Sequence, residues 1–350
     1  MTPTPPPSDE RSSQVEPTHA HGVSVVVPVL DEEEHLRSAV ERLLAQTYTG
    51  PLEVVLALGP SRDRTDEVAA ALADADGRVR LVPNPSGRTP AGLNAAIALA
   101  SYDVIVRVDG HAFVPDDYVA VAVEALERTG ADNVGGIMAA EGETAFEQAV
   151  ARAMTSRLGV GAASFHVGGE EGPALTVYLG AFRRSALGRV GGYDDSMVRA
   201  QDWEMNRRIR ETGGVVWFTP GMRVTYRPRS TVRALGTQYF EYGRWRREIV
   251  RRHPETVSAR YLAAPVAVLG LVLGTLLGLL SLGGSPWLAA GWLAPVGYAV
   301  LLVGGSLVVG RGLPLRSWLA LPVVFATMHL AWGTGFLTSP RLLSADATPS

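Results

Sequence analysis

Residues 104–111 read Val-Ile-Val-Arg-Val-Asp-Gly-His, an apolar run that stops at Asp109 and then presents His111. A carboxylate and an imidazole separated by one glycine, at the C-terminal end of a buried strand, can point at one divalent cation. In an α/β sheet that edge is also where a phosphorylated ligand binds. Further along, Gln201-Asp202-Trp203-Glu204 opens a charged stretch with helical spacing. A carboxylate there can accept a proton or cap the helix.

The elements that must position these groups follow from periodicity. Val23–Val27 is a β-branched run suited to a strand buried on both faces. Leu36, Val40, Leu43 and Leu44 fall on one face of a helix expected over Asp31–Gln46. Leu52–Ala57 and Val79–Val82 read as strands, with a helix over Thr65–Ala73 between them. Thr89 and Pro90 are expected as N-cap and first position of a helix reaching Ala100. Val104–Val108 then leads to Asp109. This alternation implies a parallel sheet with crossover helices, a Rossmann-like arrangement. No G-x-G-x-x-G is present, which disfavours a dinucleotide-dependent dehydrogenase. The second half is less regular. Helices are expected over Thr144–Leu158, Asp202–Glu211 and Gln238–Arg252, and strands over Ala174–Phe182 and Val215–Phe218, the last closed by Pro220.

The C-terminal third has another composition. No Asp, Glu, Lys or Arg occurs from Tyr261 to Gly310, or from Ser317 to Pro340. Spans are expected over Tyr261–Leu282, Trp287–Val309 and Trp318–Leu337, each about the ~20 residues a crossing helix needs. Buried core helices are the alternative; uninterrupted length and terminal Trp residues favour the membrane. Between Arg227 and Arg260 stand nine Arg and three Glu. This basic excess should stay cytoplasmic, as should the loop with Arg311 and Arg316, leaving the C-terminus outside after three crossings. Its place beside a span accounts for the basic run, so nucleic acid is not an expected partner. With no cysteine, no disulfide framework or thiolate zinc site exists. Residues 1–20 are polar, Pro-rich and without an apolar core, so they read as a disordered tail, not a signal peptide.

Taken in order, the motifs resemble those of the family-2 glycosyltransferases, nearest in pattern to the succinoglycan-type exopolysaccharide glucosyltransferases. The resemblance runs from about Val23 to Trp245. It implies an α/β fold: a Rossmann-like GT-A nucleotide-sugar-binding domain followed by C-terminal transmembrane helices. Val25-Val26-Val27-Pro28-Val29-Leu30-Asp31-Glu32 is similar to the family's strand ending in Pro-x-x-Asn-Glu, with Asp31 replacing Asn, and implies donor contacts by Pro28, Asp31 and Glu32. Ser61-Arg62-Asp63-Arg64-Thr65 matches the later half of Asp-Asp-Gly-Ser-x-Asp-x-Thr; the leading Asp pair is Leu58-Gly59 here. Asp63 is a donor contact by this match, or a helix cap. Asn84–Asn94 is similar to the Gly-rich loop before the metal strand, where Arg88 could meet a diphosphate. Asp109-Gly110-His111 stands in register with Asp-x-Asp, which implies Asp109 and His111 as ligands of Mn²⁺ or Mg²⁺ bridged to the donor. Asp202 falls on the catalytic base of the family's Glu-Asp motif, with Glu204 pointing elsewhere. Gly180 and Arg183 fall in the acceptor-side segment. Gln238, Arg244 and Trp245 resemble a Gln-x-x-Arg-Trp motif with longer spacing, for acceptor or diphosphate; Trp245 reads equally as a membrane-interface anchor.

The expected organisation is a tail over 1–20, a GT-A domain over 21–245, a basic juxtamembrane segment over 246–260, three transmembrane helices over 261–340, and a tail over 341–350. The resemblance implies an inverting glycosyltransferase of the cell (inner or plasma) membrane, multi-pass, with a cytoplasmic catalytic domain. Its partners would be a nucleoside-diphosphate sugar, UDP-glucose favoured, a lipid-linked or other glycan acceptor, and other polysaccharide-assembly proteins. The rivals are a polyprenyl-phosphate sugar synthase, a processive polysaccharide synthase and, from another class, a non-catalytic sugar-nucleotide sensor or scaffold. A product ladder would mark the processive enzyme. Absence of nucleoside diphosphate release would mark the sensor.

Overall fold

The computed structural model describes residues 21–161, 163–197, 199–341 and 343. Both expected tails fall largely outside this range. The chain runs β1 (Val23–Val29), α1 (Leu36–Leu44), β2 (Leu52–Leu58), α2 (Thr65–Ala75), β3 (Val79–Pro83), α3 (Thr89–Leu99) and β4 (Val104–Arg107). There follow α4 (Tyr118–Thr129), β5 (Asn133–Ala140), α5 (Ala145–Met154), α6 (Arg157–Val160), α7 (Ser164–Val167), β6 (Gly172–Pro173) and β7 (Tyr178–Arg183). The remainder is α8 (Arg184–Val190), α9 (Gln201–Glu211), β8 (Val216–Tyr226), α10 (Val232–Arg252), α11 (Ala259–Leu280), α12 (Leu293–Val309) and α13 (Leu315–Thr338).

One eight-stranded sheet has the order β3-β2-β1-β4-β7-β5-β8-β6. The half from β3 to β4 is parallel, as the strand–helix alternation requires. Strand β7 then enters antiparallel to both β4 and β5. The β4 end, with Asp109 beyond it, is therefore central, flanked by β1 and β7. Apolar side chains of the two sheet faces pack against α1, α2 and α4 on one side and α3, α8 and α9 on the other.

Several expected boundaries move, for local reasons. Thr89 and Pro90 lie inside α3, and Arg88 takes the N-cap with extended backbone. Strand β8 does not stop at Pro220. It continues to Tyr226 because the register jumps from Gly135↔Phe218 to Ile137↔Arg223, and the bulge absorbs the proline. The unassigned stretch after Asp109 holds α4 and β5. Val-Ala-Val-Ala-Val fits a two-residue and a helical period alike, so periodicity alone does not choose.

Three helical segments are long and apolar enough to cross a membrane: Ala259–Ser281, Pro286–Val309 and Leu315–Thr338, with mean hydropathies of 2.3, 1.9 and 1.4. The first two form a hairpin whose outward leucines and valines are exposed, among them Leu273, Leu280, Leu293 and Val300. Such a face needs lipid. The third behaves differently. Near its start, Ser317 Oγ donates to Gln148 of α5 at 2.8 Å. At its end, Arg251 of α10 donates to the Ser339 carbonyl at 2.6 Å. Its middle, Val324, Phe325 and Met328, packs with Met138, Val150, Leu235 and Tyr239 of the sheet domain. Helices α10 and α13 touch backbone to backbone: a Cβ on Gly243 would lie 2.0 Å from the Trp332 carbonyl oxygen, and one on Gly335 2.1 Å from that of Phe240.

A helix of this length is about 36 Å long, enough to separate its ends by a ~30 Å hydrocarbon core. Both ends of α13 are instead bonded to the same domain. Helix α10 cannot follow it across, because it carries Arg233, Glu241, Arg244, Arg246, Arg247, Glu248, Arg251 and Arg252. By length and hydropathy α13 remains a candidate span like the other two, and its packing on the sheet domain sets it apart from them. Hydropathy registers only the apolar composition of α13. It does not register that one face is covered by protein while Leu315, Leu319, Val323 and Leu337 remain exposed on the other. A reporter fused after Ser350 and active only on the catalytic domain's side of the membrane should be active. A silent, stably expressed fusion would restore the third crossing.

Candidate active site

The site is built around a residue the motif reading passed over. Arg107 is the last residue of β4, two before Asp109, and residues two apart on extended chain share a side. Its side chain is only 4% exposed. One guanidinium nitrogen donates to Asp109 Oδ1 at 3.1 Å and another is in direct contact with Asp202 Oδ1. Arg107 thus joins the two carboxylates that the motifs single out, from β4 and from the first turn of α9. The Tyr193 ring covers the guanidinium at 5.9 Å. Asn94 of α3 fixes that tyrosine by exchanging two 2.8 Å hydrogen bonds with its backbone. Ala200, just before α9, has φ +60°, a costly conformation for a residue with a Cβ, and it sets the angle at which Asp202 enters.

The electrostatics follow from burial. Removal from water pushes the Asp202 carboxyl up; Arg107 pulls it down and the nearby Asp109 adds to the rise. The net direction is upward, toward a better proton acceptor near neutral pH. The two carboxylates hold the Arg107 guanidinium charged in spite of its burial.

His111 is over half exposed, and its Nδ1 lies 2.6 Å from Glu32 Oε1. The Glu32 hydrogen bond raises the His111 pKa; burial opposes it, and the charges of Glu32 and Asp109 assist. With Nδ1 engaged, Nε2 is the nitrogen that can bind a cation, and Glu32 becomes the carboxylate that orients the ring. Among the described residues no three His, Cys, Asp or Glu side chains converge as a cation site. As cation ligands, Asp109 and His111 would offer one oxygen and one nitrogen. That set fits a divalent cation whose remaining ligands come from a phosphorylated substrate, and imidazole suits Mn²⁺ better than Mg²⁺. The neighbouring cleft is lined by Asp31, Glu32, Glu33, Glu34, His35 and Asp63. An anionic ligand beside so acidic a cleft requires a cation.

The other expected donor residues are laced into the loops after β1 and β2. Asp31 has φ +54°, a conformation that Asn and Asp tolerate best, and its Oδ1 accepts from Arg62 N at 2.7 Å. Asp63 accepts from the backbones of Thr65 and Glu33 just ahead of α2, whose N-cap is Arg64. Pro28 pairs with Ala57 within the sheet. Arg88 caps α3, its carbonyl held by Asn84 at 3.1 Å. At Gly59 a Cβ would sit 3.0 Å from Leu30 and 3.2 Å from the Val29 carbonyl, so a side chain there would need its neighbours to shift by a few tenths of an ångström.

The expected acceptor-side residues are mostly structural. A Cβ on Gly180 would lie 2.1 Å from Asn133, and Arg183 binds the carbonyls of Ala131 and Leu126. Gln238 is buried between the hydroxyls of Tyr226 and Tyr242. Arg244 pairs with Glu241 at 2.8 Å. Trp245 is 3% exposed, packed with Met197 and Ile249, so its indole offers no face to a sugar and no anchor to the membrane interface. Glu204 pairs with Arg208 along α9 and points away from Asp202, as expected.

The family model described as "Glycosyl transferase family 2" matches residues 24–191. The succinoglycan biosynthesis protein ExoA of Rhizobium meliloti (strain 1021) is 33% identical over 317 residues, 89% of this chain and 93% of that protein. The chain belongs to glycosyl transferase family 2. It is a glycosyltransferase with a GT-A fold. A more distant relative is dolichyl N-acetyl-alpha-D-glucosaminyl phosphate 3-beta-D-2,3-diacetamido-2,3-dideoxy-beta-D-glucuronosyltransferase of Methanococcus voltae, 22% identical over 66% of this chain and 74% of its own. Among solved structures, the mannosyltransferase PcManGT from Pyrobaculum calidifontis, in complex with GDP-Man and Mn²⁺, superposes with a TM-score of 0.56. It is 20% identical, with 89% of this chain and 86% of that chain covered, which establishes the shared fold. The family match ends before Asp202; the longer alignment to ExoA covers most of the chain.

Arg107 carries the first test of this family-2 site. In Arg107→Gln, two carboxylates face each other without their cation. Breaking a buried pair costs about 3 kcal/mol or somewhat less here, because both acids are partly solvated. The loss should be greatest at pH 8, where both acids are charged, and shrink toward pH 5 as the raised Asp202 takes up a proton. Unfolding midpoints of the purified variant at both pH values check this. A deficit independent of pH would mean the guanidinium does not balance Asp202.

Proposed function

We propose that this family-2 enzyme transfers one sugar, with inversion, from a nucleoside-diphosphate sugar to a membrane-associated, lipid-linked glycan in exopolysaccharide biosynthesis. UDP-glucose is the leading donor. The observation that carries the reading is the Arg107 bracket, which brings Asp109 and Asp202 onto one guanidinium. In the proposed step Asp202 accepts the proton of the acceptor hydroxyl as its oxygen attacks C1. The C1–O bond to the diphosphate breaks, and the nucleoside diphosphate leaves with the electron pair. No covalent enzyme intermediate is required. Asp109 and His111 would hold a divalent cation, which when bound offsets charge building on the departing diphosphate. Arg107 keeps Asp202 ionised and aimed until substrate arrives.

Names of related proteins support the substrates. The Rhizobium relative is named for succinoglycan biosynthesis, the Methanococcus relative for a dolichyl phosphate-linked acceptor, and the solved mannosyltransferase for GDP-Man and Mn²⁺. We place α11 and α12 across the cell membrane. Helix α13 lies in its cytoplasmic face, and the catalytic domain faces the cytoplasm beside the Arg-rich α10.

Two experiments test the reading. Isolated membranes should release nucleoside diphosphate from UDP-glucose when Mn²⁺ is added, and Asp202→Asn should lower turnover at least ~10²-fold with little change in donor affinity. Full activity in that variant would remove Asp202 from the chemistry. The second experiment concerns His111. Only neutral imidazole binds a cation, and Glu32 keeps His111 protonated to higher pH than an ordinary histidine. The ion pair with Glu32 is strongest in acid and fades as pH rises through that raised value; cation binding has the opposite sign. At low Mn²⁺, activity should therefore fall as pH drops through a value above the usual histidine range, and more Mn²⁺ should restore part of it. Glu32→Gln should move this limb to lower pH. An unchanged Mn²⁺ requirement in His111→Ala would remove His111 from the cation site.

A further inference from the structure

Where α9, α10 and the start of α11 meet lies a second polar cluster that the motifs do not account for. Arg246 of α10 stands over two aromatic rings, Trp203 at 5.1 Å and Tyr261 at 4.1 Å. Its Nη1 is buried and has no hydrogen-bond acceptor among the described residues. Arg260 lies on the Tyr261 ring at 5.3 Å. Gly161 packs on this arginine: a Cβ there would lie 2.8 Å from Arg260 Cδ. His166 Nδ1 is likewise buried and without a partner among the described residues. Burial, and then Arg260, hold that imidazole neutral, down to about 3. Burial and Arg260 also pull the Arg246 guanidinium down, with only Tyr261 opposing.

Two arginines brought together, one with a buried N–H and no acceptor, cost free energy unless an anion completes the set. Planar guanidinium groups with open donors match a phosphate. The depth of the cluster restricts which phosphate. Arg260 is the second residue of α11, and no charged residue follows until Arg311, so it marks where the apolar span begins. Trp203 directly follows Asp202 in α9. An anion held here would be at headgroup level and against the side chain that follows the candidate base in α9, whereas the acidic cleft and Asp109–His111 are reached from the loops after β1 and β4.

We propose that Arg246 and Arg260 form the phosphate subsite for a lipid-linked acceptor. The lipid chain runs along α11, and the hydroxyl to be glycosylated reaches Asp202. This rests on the glycosyl-transfer reading above and adds the acceptor's charged group to it.

The test uses the full chain in phosphatidylcholine nanodiscs, with radiolabelled farnesyl phosphate as probe and farnesol as its uncharged counterpart. The parent should bind farnesyl phosphate in preference to farnesol. Arg246→Gln and Arg260→Gln should each weaken it about ten- to a hundredfold, the effect of losing a hydrogen bond to a charged group. Arg246→Lys should recover part of the loss. UDP binding with Mn²⁺ should be unchanged in all variants, which shows that they are folded. Equal binding of farnesol, or undiminished farnesyl phosphate binding in both Gln variants, overturns the subsite. Inorganic phosphate binding as tightly as the farnesyl ester would make it a free-phosphate site, and full displacement by phosphatidylglycerol a general headgroup site; either overturns the acceptor assignment. Sugar transfer by the parent to an uncharged lipid, undiminished in Arg246→Gln, overturns the subsite while the transferase reading stands. Farnesyl phosphate binding without nucleoside diphosphate release from any donor has the reverse meaning.

Discussion

One buried cation organises the catalytic face. Arg107 sits at the end of the central strand, with a carboxylate on each side of its guanidinium. Without it, Asp109 and Asp202 would bring two like charges together in a poorly solvated space. With it, the two are held close on one guanidinium, and α9 is tied to the sheet in its first turn. The cation is in turn fixed from outside, by the Tyr193 ring and the Asn94 side chain that holds the tyrosine backbone. The geometry of the candidate base thus depends on β4, α3 and α9 together.

A second constraint is the contact of α10 with α13. Glycines on both helices let the backbones meet, which seats the sheet domain on an apolar helix, while Gly333 of α13 packs closely on Ala264 of α11. The Arg-rich face of α10 then lies at the level where the α11–α12 hairpin begins. Under the proposed function, a nucleotide and a membrane-bound acceptor would approach Asp202 from opposite sides.

Departures from the family pattern have packing reasons. Where Leu58-Gly59 replaces an Asp pair, Gly59 sits against the β1 carbonyl and the Leu30 side chain, and the loops after β1 and β2 are joined by Asp31, Glu33 and Asp63. Acidic groups that would face a nucleotide elsewhere are here partly spent on each other's backbones. His111 in place of a second acid exchanges a fixed charge for one that titrates, and Glu32 decides where it titrates.

The sequence alone determined the α/β alternation, the strand that ends at Asp109, the register of Asp202 and the apolar C-terminal third. Each is a property of neighbours along the chain: a two- or 3.6-residue period, a capping residue, a run without charge. The tertiary structure decided which groups meet. Arg107 was visible as a lone charge ending an apolar strand. Its role was not, because its second partner lies ninety-five residues away and is brought near only by the antiparallel entry of β7 and the turn at Ala200. Trp245 and Gln238 matched a motif in type, yet the rotation of α10 against α9 and α13 buries them and turns Arg246 outward to Trp203. Hydropathy marks α13 as long and apolar enough to span, because it measures composition. Whether an apolar face meets lipid or protein depends on what the rest of the chain packs against it.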